Sequence, residues 1–599
     1  MLKRLFTLAV LFRSCSAQTT SAPVVDLGYA RYQGVHDANF DLNVFNGIRY
    51  AAPPIGKLRW QPPQAPAENA SQVTPAVNYA PQCPQTPNAP GPAPDAPSGD
   101  EDCLFLNIQA PANKKNLPVM VWIHGGGYGS GNSHLDNYAE LIRTNGNAYI
   151  VVAIQYRMGA FGFLSSAELA QSGVPNAGIH DMHFALLWVQ RYINLFGGDP
   201  TQVTVVGESA GGGAVMLLSM ANGGNDGDAL FKGIIASSPY LPTQWNFDGA
   251  QPSDSYNRFA ERVGCLADDV VASNSSVFDC LVSADTVVLQ NASAEVTASG
   301  IYGQWAFLPV TDGTFIKERP TEQLLKGGEV NGVRVLVGHN ANEAVYFVPF
   351  NITSGDTFRG WLQTNYPLLS EENVTSILEL YSVPSASSGI LTNSDGQHEP
   401  FSTTNSGWAV GWQQAAVNLY AESTFVCPSY WLSDAYGAKQ NKNAWHYQFS
   451  VPPAPHGSDL VPLKADPEIN GTSMDKVFRT AFQQIWGNFI VHGDPTLSTV
   501  QTTTPDGGNI TAAGSGIWPQ WKADLGENWM LNLNMTGGVP VDTPQAVFGT
   551  TIQVTSYIPG NDSSSPLEAL FEVVEGAAWE DGRGKRCQLW ADLGPWIME

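Results

Sequence analysis

Ser209 stands in Gly207-Glu208-Ser209-Ala210-Gly211, after the apolar run Val203 to Val206 and before the small-residue stretch Gly212-Gly213-Ala214. The pentapeptide alone is a weak signal, because any tight strand-to-helix turn uses glycines. Between a strand and a helix it reads as a nucleophile elbow. The glycines let two segments pass close to a strained turn, which lifts the serine hydroxyl above the sheet edge. A hydroxyl presented that way suits acyl transfer. A second segment, Val121-Trp-Ile-His124-Gly125-Gly126-Gly127-Tyr128, supports this. Successive glycines leave backbone N–H groups bare, and such donors stabilise the negative oxygen of an acyl-transfer intermediate. Three glycines in isolation would read as a flexible loop. After an apolar strand, in the same chain as the elbow, they read as an oxyanion loop. Gly126 and Gly127 belong to it, and the N–H of Ala210 is a third donor.

These groups must be carried to one edge by regular elements. Leu117 to Ile123, Tyr149 to Gln155, Gly233 to Ala236 and Val333 to Val337 are short apolar runs like Val203 to Val206. They are continuous rather than alternating, as in strands covered on both faces. Helical patterns lie between them. From Asp181, the residues Phe184, Leu187, Trp188 and Leu195 recur at helical spacing, and the pattern stops at Phe196-Gly197-Gly198-Asp199-Pro200. Lys476 to Ile490 is another amphipathic helix. The alternation predicts an α/β fold, a mostly parallel sheet with helices on both faces. Pro84 to Ser98, rich in Pro, Ala and Gly, reads as a surface loop.

The chain has 599 residues, 43% apolar and 14% charged, with a net charge of -25. Such an acidic surface repels phosphate backbones and anionic membranes, so nucleic-acid partners are excluded. Length alone suggests about four domains. Lys3 and Arg4, the apolar run Leu5 to Phe12 and Ser16-Ala17 form a signal peptide over residues 1–17, with Arg13 and Cys15 unusual in it. The run is too short to span a bilayer, and the C-terminus lacks the apolar tail of a lipid anchor. An exported protein with no membrane anchor is expected. Without Cys15, six cysteines remain, an even number that suits an oxidising compartment. Asn-x-Ser/Thr acceptors begin at Asn69, Asn274, Asn291, Asn351, Asn373, Asn470, Asn509, Asn534 and Asn561, of which only some are expected to carry sugar.

Taken with the elbow and the glycine loop, further segments carry a resemblance. They are Phe45-Asn-Gly-Ile-Arg49 through Trp60, Glu101-Asp-Cys103-Leu-Phe-Leu-Asn107, Tyr156-Arg157-Met-Gly-Ala-Phe-Gly-Phe163 and Phe196-Gly-Gly-Asp-Pro200. From about Val25 onward the chain resembles the type-B carboxylesterases, the cholinesterase-like branch of the α/β-hydrolases. The resemblance implies an α/β-hydrolase fold and one catalytic domain over 18–599, not four. In that fold the order along the chain is Ser, acid, His. His456, in Ala454-Pro-His456-Gly-Ser-Asp459 after the strand-like Trp445 to Val451, matches the family's base. His339, His398, His446 and His492 read as structural or surface residues. The resemblance assigns the acid to Glu343, in Asn340-Ala-Asn342-Glu343. By its residues alone Glu343 could be an ordinary loop carboxylate, and Asp312 and Asp459 are the alternatives. Glu208 reads as a supporting carboxylate outside the triad. Six cysteines allow fifteen pairings; the resemblance implies Cys83–Cys103, Cys265–Cys280 and Cys427–Cys587.

The expected activity is hydrolysis of small carboxylic esters, with no metal or other cofactor. The stretch Pro84 to Asp102 overhangs the gorge in this family and carries an aromatic cage residue in cholinesterases. Here it holds no aromatic residue, which counts against choline esters, and no Leu, Ile, Val or Phe, which counts against an apolar lipase lid. A general carboxylesterase is therefore expected, with Trp245, Trp305, Phe307 and Tyr240 as candidate linings or plain core. A secreted lipase or sterol esterase is the nearer rival. A non-catalytic cholinesterase-like binding protein is the more distant one, since the expected triad is complete here.

Overall fold

The computed structural model describes residues 22–90, 98–134, 138–267, 276–383, 394–464, 468–469, 472–497, 502–503, 509–510, 518–547, 550–558 and 567–599. The expected signal peptide and the acceptors Asn274, Asn470 and Asn561 lie outside them, as do residues 91–97 of the predicted surface loop.

Among the described residues, eleven strands form one sheet. In chain order they are β1 (Val35–Asp37), β2 (Leu42–Arg49), β3 (Phe105–Pro111), β4 (Leu117–Ile123), β5 (Ile150–Ile154) and β6 (Gly198–Glu208). Then come β7 (Gly233–Ser237), β8 (Arg334–Asn340), β9 (Asn443–Phe449), β10 (Trp529–Gly537) and β11 (Leu567–Glu575). The spatial order is β11-β10-β9-β8-β7-β6-β4-β5-β3-β2-β1. Pairs from β5 through β10 are parallel, and both edges are antiparallel. The apolar runs expected as strands are β4 to β8. Their side chains are almost wholly buried because helices cover both faces.

On one face, α1 (Lys476–His492) packs Phe478, Phe482 and Trp486 against Phe449, Tyr447 and Trp122. On the other lie two helices, α2 (Ala177–Tyr192) and α3 (Ala210–Met220). The helix predicted from Asp181 is α2, but its buried stripe differs from the spacing that suggested it. Met182, Ala185, Leu186 and Val189 enter the core, whereas Leu187 is 44% exposed. Leu195, beyond the helix in a 3-10 turn, also faces solvent. Single apolar side chains are common on surfaces, so an apolar residue at helical spacing does not by itself mark the inner face.

The expected cysteine pairs are joined as Cys83–Cys103, Cys265–Cys280 and Cys427–Cys587. Two expectations need correction. The first half of the predicted surface loop is woven into the body: Ala89 is buried, its N–H donates to Gln304 and its carbonyl accepts from Gly303. Asn534 is only 4% exposed within β10, where the folded sheet leaves no room for a sugar. Asn69, Asn291 and Asn351 are exposed and Asn373 is half-buried.

The corrected helix face makes a testable distinction. Leu186→Ala should cost about 2–5 kcal/mol of unfolding free energy, whereas Leu187→Ser should change it by less than ~0.5 kcal/mol. Denaturant unfolding checks both, and equal costs would place the inner face elsewhere.

Candidate active site

Parallel register puts the carboxyl ends of β4, β6, β7 and β8 side by side. Ile123 pairs with Gly207, Glu208 with Ser237, and Ser237 with Gly338. Residues just past these ends therefore converge, as they do in open α/β sheets. Ser209 is the residue between β6 and α3. Its backbone lies at φ 58 and ψ -125, a region costly for any residue with a Cβ. The two flanking glycines make this possible. A Cβ on Gly211 would stand 2.1 Å from the Ile123 carbonyl oxygen, and one on Gly207 2.4 Å from the Gly211 backbone. The turn is tied down as Ser209 N donates to Ser237 O at 3.0 Å and Tyr240 N donates to Ser209 O at 3.0 Å.

Glu343 follows β8 and His456 follows β9. Nδ1 of His456 lies 2.5 Å from Oε2 of Glu343; the Glu343 side chain is buried and that of His456 largely so, at 10% exposure. Nε2, the other ring nitrogen, lies 3.3 Å from Oε1 of Glu208, the residue before Ser209. The Ser209 hydroxyl has no hydrogen bond to the ring among the described contacts. Such bonds are often long without substrate and tighten with it. The remaining Glu343 oxygen accepts from Ser238 Oγ at 2.6 Å and from Asn340 N at 2.5 Å.

Asn340 extends the network. Its Nδ2 lies 3.2 Å from Asp459 Oδ1, and its Oδ1 accepts from Asp459 N at 3.0 Å. Asp459 also accepts from Ser237 Oγ, and from Tyr447 OH at 2.8 Å. Burial pushes the Asp459 carboxyl up against these hydrogen bonds. Burial also opposes charge on His456. The Glu208 and Glu343 carboxylates outweigh it, and the imidazole is raised to about 9.

In the glycine loop, Gly126 and Gly127 have φ 108 and 63, open only to glycine at low cost. Among the described hydrogen bonds, the N–H groups of Gly126, Gly127 and Ala210 have no acceptor in the protein. His124 stacks on Tyr156, and its Nδ1 lies 2.9 Å from Gly125 O. Burial pushes its pKa down to about 4, so it stays neutral. Trp305 stands on this loop: a Cβ on Gly127 would lie 2.2 Å from its six-membered ring, and its indole N–H donates to Thr86 O at 3.1 Å. Tyr240 stacks on Phe425, which packs on His456 at 4.6 Å between ring centroids. Trp245, Trp305 and Phe307 line a separate cavity of about 340 Å³.

Of the alternatives for the acid, Asp312 caps its own turn through Thr314, Phe315 and Ile316, apart from His456. Among the described contacts Asp459 makes no hydrogen bond to His456; it joins the site through Asn340 and Ser237, and its charge adds to the raising of the imidazole. His339 and His446 are buried with each other, Ser429 and Ser433, and His398 pairs with Asp395 at the surface. Sequence reasoning missed Asn340, Ser237, Ser238 and Tyr447. Their one signal was position, immediately after or near the end of a buried strand. Among the described residues no group of three or more His, Cys, Asp or Glu side chains is arranged to hold a metal ion.

The profile of the carboxylesterase family matches residues 21–541. A carboxylesterase of Aspergillus clavatus, patB, is 30% identical over 82% of this chain and 92% of its own length. An acetylcholinesterase of Bungarus fasciatus is 29% identical over 82% of this chain and 79% of its own. The solved structure of Aspergillus niger EstA superposes with a TM-score of 0.71 at 25% identity, covering 97% of this chain and 99% of that one.

The charge arrangement has a stability signature. The His456 pKa is raised above its unfolded value of ~6.5. Its ion pairing therefore stabilises the fold fully below that value and is lost as pH rises through about 9. Wild type should exceed Glu208→Gln in melting temperature by more at pH ~6 than at pH ~10. Equal differences at both pH values would contradict the pairing.

Proposed function

This chain belongs to the carboxylesterase family and is a carboxylic ester hydrolase; we propose that it works through a Ser209–His456–Glu343 triad. One juxtaposition carries the reading. A serine in a strained elbow is flanked by a histidine–carboxylate pair and by three backbone N–H groups with no internal acceptor among the described residues. His456 takes the Ser209 proton, and Ser209 Oγ attacks the ester carbonyl. The carbonyl oxygen becomes an oxyanion held by the N–H groups of Gly126, Gly127 and Ala210. The carbonyl re-forms, the alcohol leaves with the proton from His456, and water repeats the cycle on the acyl-enzyme. Glu343 fixes the ring so that Nε2 faces the serine and stabilises the imidazolium. Glu208 adds a second negative charge beside Nε2.

The substrate class we assign is soluble or partly soluble carboxylic esters. Pro84 to Asp102 offers neither an aromatic residue for a quaternary ammonium nor an apolar lid for an oil surface. Trp305, packed on Gly127, narrows the acyl side next to the oxyanion loop. A lipase or sterol esterase is the second reading. We also read the chain as exported, with a signal peptide at 1–17 and one catalytic domain over 18–599. Three disulfides and the exposed acceptors Asn69, Asn291 and Asn351 support export. No helix among the described residues is long and apolar enough to cross a membrane.

Ser209→Ala should lower kcat for p-nitrophenyl acetate by about 10⁴-fold or more. Wild type should favour short over long acyl chains. Activity surviving in the variant would sink the triad, and a long-chain optimum raised at an oil interface would favour the lipase reading. The base must be neutral to act, so kcat/KM should rise with pH through a midpoint above histidine's usual ~6.5, and Glu208→Gln should lower that midpoint by about 1 unit. A midpoint indifferent to Glu208 would remove its electrostatic role.

A further inference from the structure

A cavity of about 340 Å³ lies between the helix Ala250–Val263 and the segment Ser299 to Val310. None of Ser209, Glu343, His456, Gly126 or Gly127 lines it. Its volume falls within the range of small-molecule sites, about 300–1,000 Å³. Four aromatic residues, Phe163, Trp245, Trp305 and Phe307, stand in the wall, beside the polar Thr243, Gln251, Ser255 and Gln304. Among the described residues, the only charged side chain in the lining is Arg258. Its Nη2 donates to Val296 O at 3.2 Å and to Ser299 Oγ. Its sole carboxylate partner among the described contacts is Asp254, loosely placed at 3.6 Å and 59% exposed. The Arg258 side chain is itself 36% exposed, so this end of the cavity faces water. Ser255, one turn before it on the same helix, is buried in the wall.

We infer that this cavity is a second binding site, taking a small carboxylate with an aromatic body, and that its occupancy is felt by the oxyanion loop through Trp305. The chemistry follows from the lining. Aromatic faces favour a flat apolar body, and an under-neutralised guanidinium at the mouth favours a planar anion held by paired N–H donors. The coupling follows from one shared residue. Trp305 forms part of the cavity wall, and its indole packs on Gly127 and Gly129, where added Cβ atoms would stand 2.2 and 2.3 Å from the ring. A ligand pressing on that ring shifts the loop whose N–H groups hold the oxyanion. This effect on turnover rests on the triad reading; binding to the cavity does not.

The probe is 3-phenylpropionate, titrated calorimetrically into Ser209→Ala. Saturable heat is expected. Arg258→Gln in that background should weaken binding about tenfold or more, the loss of a charge-assisted pair. Ser255→Trp, which fills the cavity, should abolish it, with circular dichroism confirming the fold. In wild type, phenylpropionate should lower kcat for p-nitrophenyl acetate with little change in KM. Trp305→Ala, which removes one face of the wall as well as the contact with Gly127, should lose that response even at phenylpropionate concentrations that saturate its weakened heat. The site is overturned by the absence of saturable heat, by heat indifferent to both Arg258→Gln and Ser255→Trp, or by inhibition that excess ester removes. Hydrolysis persisting in Ser209→Ala would instead overturn the serine reading and leave the calorimetry to decide the cavity.

Discussion

The left-handed backbone at Ser209 is the constraint on which the rest of the site depends. Holding a residue with a Cβ at φ 58 costs about 1–3 kcal/mol and persists only where the surroundings enforce it. Here the enforcement is close packing at Gly207 and Gly211, with α3 entering against the end of β4. Because β6 lies at the middle of the sheet, the same turn that raises the hydroxyl brings it beside the glycine loop after β4 and the serines after β7. Parallel register then sets where β8 and β9 end, and those ends deliver Glu343 and His456.

A buried imidazole among carboxylates is expensive unless each charge has partners. Glu343 gains Ser238 and Asn340, Asp459 gains Ser237, Tyr447 and Asn340, and His456 gains Glu343 on one nitrogen with Glu208 near the other. Asn340 is the hinge of this economy of polar groups, because its backbone N–H and both side-chain atoms are spent between the two acids. The result favours the imidazolium, the state that forms when Ser209 gives up its proton. The cost is that less of the base is in the neutral form that can accept that proton.

The parts of the site most legible in the sequence were those that backbone geometry demands. Gly207, Gly211, Gly126 and Gly127 occupy turns or contacts that a Cβ would break, so residue type and function coincide there. Continuous apolar runs disclosed β4 to β8 for the same reason, burial on both faces. Glu343 was different. Loop carboxylates look alike in a sequence, and only family resemblance separated it from Asp312 and Asp459. Asn340, Ser237 and Ser238 were invisible because polar residues after a strand serve turns as readily as networks. The apolar spacing that marks α2 includes Leu187, which faces solvent, and the acceptor motif at Asn534 lies on an interior strand. In both cases the deciding fact was tertiary packing that local spacing does not encode.

The triad is tested most directly by covalent trapping. Diethyl p-nitrophenyl phosphate is incubated with the protein, and the digest is mapped by mass spectrometry. A diethylphosphoryl group should appear on the peptide containing Ser209, and its formation should collapse in His456→Ala while Glu208→Gln only slows it. Labelling at another residue, or unchanged labelling without His456, would contradict the account.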